Sequence, residues 1–133
     1  MKYRIWDKKE KKFIKNIAVD QYGDYVEFYI DEFEPDWSYL SEVEGTKYVT
    51  MLESGLKDIK GKDIFEGDLI KFKSEIIGDE FFDNRIGKVV FEEAAFWIDY
   101  SDVSIPLWSE TRGYEVLGNI YENPELIPKL LRW

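Results

Sequence analysis

Short apolar segments, separated by turns rich in Gly, Asp and Lys, run along most of this 133-residue chain. The segment 2–6 (KYRIW) alternates polar and apolar side chains, and in 25–30 (YVEFYI) the apolar Val26, Phe28 and Ile30 share one face. Side chains point to alternate faces of a strand, so this period of two is typical of half-buried β-strands. The chain is therefore predicted to be mainly β. The acidic segment 31–37 is predicted to be irregular, because Pro35 argues against a central strand there.

The predicted architecture is one domain of β-rich α+β type over residues 1–133. It consists of an N-terminal β-hairpin region (1–46), a small, partly open SH3-like barrel (47–121) and a short C-terminal helix (122–133). The barrel is predicted from several short strands with turns between them, and it implies no function by itself. The helix is predicted because Asn123 can cap it and Pro124 suits its first position.

The composition removes several classes of chemistry. The chain has no Cys and no His, which excludes thiol nucleophiles, His-based triads and the commonest zinc sites. We therefore predict no catalytic, cofactor-binding or metal-ligating residue, and a protein that is not an enzyme. No apolar run approaches the roughly 20 residues that span a bilayer, so we expect a cytoplasmic protein without a membrane partner.

Four central carboxylates could still support chemistry. Asp58, Asp63, Glu66 and Asp68 surround the glycines at 61 and 67, and carboxylates are the ligands that Mg²⁺ and Ca²⁺ prefer. An enzyme would need such a cation here. The alternative interpretation, which we favour, is turn formation, because Asp bonds its own backbone and Gly adopts positive φ.

Charge is unevenly distributed along the chain. The net charge is −10, yet residues 1–15 carry seven Lys or Arg against two acids, whereas 16–54 carry one Lys and ten acids. A negative protein is repelled by phosphate backbones, which disfavours nucleic acid as a partner. The acidic stretch could instead mimic a phosphate backbone in the basic groove of a host protein, or it could be a solvated face.

The candidate interaction surface combines acidic and aromatic residues. Aromatic side chains could stack on bases, but nearby acids would repel the backbone, so packing in the core or in a subunit interface is favoured. The predicted surface residues are Asp31, Glu32, Glu34, Asp36, Trp97, Tyr100 and Trp108.

Two longer segments resemble the YopX family of phage and prophage proteins. They are GLKDIKGKDIFEGDLI (55–70) and YEVLGNIYENPEL (114–126), with a weaker match around Arg4, Trp6 and Phe13. The resemblance covers both ends and the centre of the chain. It implies a phage or prophage origin, an intracellular setting and self-association, and it supplies no catalytic residues.

The predicted function is that of a phage or prophage accessory protein without enzymatic activity. We expect a homo-oligomer that binds a host or phage protein through its acidic face. The complementary charges of the basic start and the acidic segment favour self-association independently of the family. The alternative is a nucleic-acid-binding module that uses the barrel or the basic N-terminal hairpin.

Overall fold

A computed structural model of the chain describes residues 2–30, 35–74, 85–100, 103–107 and 112–127. The prediction of a mainly β fold is confirmed, because strands dominate these residues. The elements are β1 (Tyr3–Asp7), β2 (Lys12–Ile14), β3 (Ile17–Val19), β4 (Tyr25–Ile30), β5 (Pro35–Tyr39), the single helical turn α1 (Glu42–Gly45), β6 (Tyr48–Lys57), β7 (Asp63–Phe65), β8 (Asp68–Ser74), β9 (Ile86–Glu92), β10 (Ala95–Asp99), β11 (Ser104–Pro106), β12 (Arg112–Asn119) and a 3-10 turn (Pro124–Leu126).

The chain divides into two compact units. The N-terminal unit is Tyr3–Met51, and the C-terminal unit is Leu52–Trp133 together with the first two residues. The boundary falls inside β6, so this strand begins in one unit and ends in the other.

The N-terminal unit opens with the predicted hairpin. In it β1 and β2 are antiparallel, with Trp6 opposite Phe13, and these two rings pack edge to face at 4.9 Å between centroids. The buried carboxylate of Asp7 accepts hydrogen bonds from the backbone N–H of Lys9 and of Glu10, both at 2.9 Å. The side chain of Asp7 therefore stabilises the turn between the two strands.

A three-stranded antiparallel sheet completes the N-terminal unit, in the order β3-β4-β5. From sequence, Pro35 argued against a central strand, and the structure places Pro35 at the start of the edge strand β5. Proline is tolerated there because an edge strand leaves one row of backbone groups unpaired. Residues 35–37 therefore lie in a strand, where we expected irregular structure, and residues 31–34 lie outside the described residues.

The C-terminal unit contains a five-stranded antiparallel sheet in the order β11-β10-β9-β8-β12. Its core consists of fully buried side chains: Ile64, Ile70, Val89, Ile98, Tyr100 and Tyr114. Among the described strands this sheet is open, with β11 and β12 at its edges, where the sequence predicted a partly open barrel. Closure would require these two edge strands to pair, and β11 is only three residues long.

The end of the chain differs from the predicted helix as far as it is described. Residues up to 127 contain one 3-10 turn, and residues 128–133 lie outside the described part. The side chain of Asn123 makes no cap hydrogen bond to that turn. Its Oδ1 instead accepts a hydrogen bond from the N–H of Asn119 at 3.2 Å, which directs the side chain back towards β12.

Candidate interaction surface

The central carboxylates organise turns. Asp58 is 8% exposed, and its carboxylate accepts hydrogen bonds from the N–H of Lys60 and Lys62, both at 2.9 Å, and of Val116 at 3.0 Å. Asp68 accepts a hydrogen bond from the N–H of Phe65 at 2.8 Å. These contacts match the turn interpretation of the motif, since the lone pairs of both carboxylates bind backbone donors.

Asp63 is engaged differently. Its Oδ1 lies 2.7 Å from Nζ of Lys57, and this hydrogen bond is the main cause that lowers the pKa of Asp63. Within the described ranges, no group of three or more carboxylates is arranged to hold a metal ion.

The predicted surface residues do not form one described cluster. Asp31, Glu32, Glu34 and Trp108 lie outside the described residues. Asp36 lies exposed on β5, in the N-terminal unit, and Trp97 lies half-buried on β10, in the C-terminal unit. The indole N–H of Trp97 donates to the carbonyl oxygen of Glu92 at 3.1 Å.

Tyr100 is a core residue and is therefore not part of the predicted interaction surface. Its side chain is completely buried in the C-terminal unit, and the guanidinium carbon of Arg85 lies 5.4 Å from its ring centroid. Of the two uses that the sequence favours for this aromatic group, the core or a subunit interface, the structure shows the core for Tyr100. Side chains alternate between the two faces of β10, and the half-buried Trp97 is followed by the completely buried Ile98. Tyr100 follows directly after the end of β10 and is buried like Ile98.

The structure brings together aromatic residues that sequence reasoning missed. Of the seven large apolar side chains exposed among the described residues, six lie in the N-terminal unit. Three of these share one face of the β3-β4-β5 sheet, because Phe28 pairs with Trp37 across the strands and Val26 pairs with Tyr39. We call Phe28, Trp37 and Tyr39 the aromatic face; their exposed fractions are 46%, 56% and 56%.

The rings of the aromatic face are held in defined positions. Trp37 and Tyr39 pack edge to face, with 5.5 Å between ring centroids and an interplanar angle of 85°. The hydroxyl of Tyr39 donates a hydrogen bond to Oδ2 of Asp20 at 3.2 Å. This bond is the main cause that raises the pKa of Tyr39, while the backbone N–H of Asp24 is the main cause that lowers the pKa of Asp20.

The residues of the aromatic face belong to a segment of the sequence that is rich in acidic residues. Residues 16–46 include nine Asp or Glu and no Lys or Arg. Among the described residues of this segment, Asp24, Asp36, Glu42 and Glu44 are exposed. A pocket of about 280 Å³ in the same unit has Asp24 and Glu42 in its lining, so its charged lining is acidic.

The β5 edge of this sheet is poorly suited to pairing with an additional strand. Pro35 has no N–H to donate, and the N–H of Trp37 is bound by Oδ1 of its neighbour Asp36 at 2.8 Å. Proline and local charge are two devices that keep an edge strand from pairing with other chains. A partner of this sheet is therefore expected on its face rather than at the β5 edge.

A basic surface lies in the same unit as the aromatic face. Lys8, Lys9, Lys11 and Lys12 occupy the turn from β1 to β2 and its flanks, and all four are exposed; we call them the lysine turn. The N–H of Lys11 donates to the carbonyl oxygen of Asp7 at 2.8 Å, with φ at 55° for Lys11. In the part of the chain that the structure describes, no ion pair joins these lysines to a carboxylate.

The model of the YopX protein family matches residues 2–128. This chain belongs to the YopX family. A prophage-derived, uncharacterised YopX protein of Bacillus subtilis is 27% identical over 137 residues, which cover 94% of each chain. The YopX-family resemblance of the motifs around 55–70 and 114–126 is thereby confirmed.

Solved structures agree with this YopX-family fold. The X-ray structure of protein yopX from Bacillus subtilis has a TM-score of 0.63 and 22% identity, covering 95% of this chain and 97% of that one. A crystal structure of an Enterococcus faecalis protein has a TM-score of 0.61 and 26% identity, covering 96% and 97%. Among the described residues of this chain, no helix has the length and hydropathy to cross a membrane.

Proposed function

We propose that this YopX-family chain is a prophage accessory protein without enzymatic activity, which self-associates and binds a host or phage protein in the bacterial cytoplasm. The observation that carries the proposal is the exposed aromatic face of the β3-β4-β5 sheet. Aromatic residues are enriched in the cores of protein interfaces, and each can bury about 150–250 Å². Three such rings on one sheet face favour a protein-binding surface.

Two features support contact with protein rather than catalysis. The sequence has no Cys or His, and the central carboxylates Asp58 and Asp68 are already bound to backbone N–H groups. The acidic segment around the aromatic face would repel phosphate, which favours a protein over a nucleic acid at this surface.

The lysine turn supports a second candidate function. Its four exposed lysines lie on a hairpin whose turn is hydrogen-bonded to Asp7, and clustered lysines can contact phosphates. Nucleic-acid binding through this hairpin, or through the strands of the C-terminal unit, would weaken steeply as salt concentration rises.

An affinity pull-down with the tagged full-length chain separates these two functions. We expect one dominant host or phage protein to be retained from the lysate of infected cells, in equal amounts with and without nuclease treatment. Retention that is lost after nuclease treatment would instead support the nucleic-acid function. Recovery of the tagged chain alone would contradict the binding of a host or phage protein.

Self-association is tested separately by multi-angle light scattering of the purified chain. We expect a mass that is a multiple of 15.9 kDa at micromolar concentration, and a lower mass at high salt, because screening weakens contacts between exposed charges. A strict monomer at low salt would contradict self-association, and a mass independent of salt would contradict its electrostatic origin.

A further inference from the structure

We propose that the aromatic face of one copy binds the lysine turn of a second copy. The proposal rests on the self-association proposed above and deepens it by naming the two surfaces in contact. Both surfaces belong to the N-terminal unit, but they consist of different residues. Each copy therefore carries one half of the contact with exposed lysines and one half with exposed aromatic rings, beside which lies the carboxylate of Asp20.

Charge complementarity is the first argument for this pairing. Residues 8–15 hold five lysines and one acid, whereas residues 16–46 hold nine acids and no basic residue. The lysines of the turn form no ion pair within the described residues. Oppositely charged surfaces attract during encounter and set the register of the complex, which favours the lysine turn as the partner of the acidic segment.

The chemistry of the aromatic face suits a lysine side chain. A lysine ammonium is attracted to the π-face of Trp and Tyr, and its aliphatic stem packs on apolar surface. Trp37 and Tyr39 are more than half exposed. The carboxylate of Asp20 bonds the Tyr39 hydroxyl, so a negative charge lies directly beside this ring.

Both partners are pre-organised for the contact. Two backbone hydrogen bonds to Asp7 fix the lysine turn, and the edge-to-face pair of Trp37 and Tyr39 fixes the rings. Binding between surfaces that are already ordered loses less conformational entropy.

The test uses two variants that each remove one half of the contact. The turn variant is Lys9→Glu with Lys12→Glu, which leaves Asp7 and the positive-φ Lys11 unchanged. The face variant is Trp37→Ser. We expect each variant alone to associate roughly tenfold or more weakly than the wild-type chain, with unchanged far-ultraviolet circular dichroism. An equimolar mixture is expected to form a heterodimer, because one variant retains the face and the other retains the turn.

Matched controls distinguish these surfaces from general effects of charge and apolarity. Lys2→Glu with Lys62→Glu changes the net charge equally, and Ile59→Ser removes a 65% exposed apolar side chain of the C-terminal unit. Both controls are expected to associate like the wild-type chain.

Three results would overturn the proposal while leaving self-association intact. Variants that associate as strongly as the wild-type chain would place the interface elsewhere. A mixture that stays monomeric would show that turn and face are not partners. Loss of a captured host protein by Trp37→Ser, without a change in mass, would make that protein the occupant. A monomeric wild-type chain would contradict self-association itself.

Discussion

Replacing Asp58 with Ala is expected to destabilise the C-terminal unit by about 3 kcal/mol, since a hydrogen bond to a charged group contributes roughly 1.5–3 kcal/mol. The carboxylate accepts three such bonds from backbone N–H groups, and in the variant water would only partly replace the carboxylate at this buried site. The bond from Val116 also joins the turn after β6 to β12. The measurement is urea denaturation followed by tryptophan fluorescence.

The contribution of Asp58 to the free energy of unfolding is expected to decrease as the pH falls. Burial acts to raise the pKa of Asp58, but hydrogen bonds from Val116, Lys62 and Lys60 outweigh it and hold the pKa below its ordinary value of 3.8. A lowered pKa in the folded state means that the stabilisation is fully present above the unfolded-state value. It is lost as the pH falls through the folded-state value.

The charge-dependent part of this effect can be isolated with Asp58→Asn. The difference in unfolding free energy between wild type and variant is expected to be largest at neutral pH and to shrink in acid, as the wild-type carboxylate becomes protonated. The exposed Glu125→Gln is a control for the loss of one charge. A difference that is constant from neutral to acid pH would contradict a role for the ionised carboxylate.

Gly87→Ala is expected to destabilise the same unit by a similar amount, about 3 kcal/mol, at the upper end of the usual cost of overpacking. Gly87 is buried on β9. A Cβ atom there would overlap Cγ2 of Ile98 and lie 2.9 Å from Cε1 of Tyr100. Both neighbours are completely buried in the core, so neither can move away without disturbing other contacts. Thermal unfolding should shift down by roughly 10 °C.

A double-mutant cycle tests the cause of this loss. Ile98→Ala alone is expected to cost about 3 kcal/mol, since it leaves a cavity, but it also removes the Cγ2 atom that would overlap the new methyl group. The cost of the double variant should therefore be smaller than the sum of the two single costs. Additive costs, or a Gly87→Ala variant within about 0.5 kcal/mol of wild type, would contradict the close packing around Gly87.

Local sequence patterns predicted several elements because short-range chemistry determines them. The hairpin of β1 and β2 follows from alternation around a charged turn, and Asp7 stabilises that turn through residues only two and three positions away. The turn at Asp58 likewise depends on backbone groups nearby in sequence, with the contact to Val116 as the exception. Such contacts need no knowledge of the rest of the fold.

The aromatic face escaped prediction for a physical reason. Pro35 and the acids near it suggested irregular structure, and these signals correctly exclude a central strand but permit an edge strand. The pairing of β5 with β4 then places Trp37 opposite Phe28. Whether these rings are exposed depends on which other parts of the protein cover the sheet. The alternation of side chains along one strand does not contain that information.

By itself, the sequence determined the mainly β class, the principal turns, the separation of basic and acidic segments and, through its motifs, the YopX family. These properties depend on residue types and on spacings of a few residues. Only the tertiary structure decided that the sheets are open, that Tyr100 is in the core and that Trp37 and Tyr39 are exposed. Burial and sheet order depend on pairings between distant segments, where many registers satisfy the same alternation and the packing of the whole unit selects one.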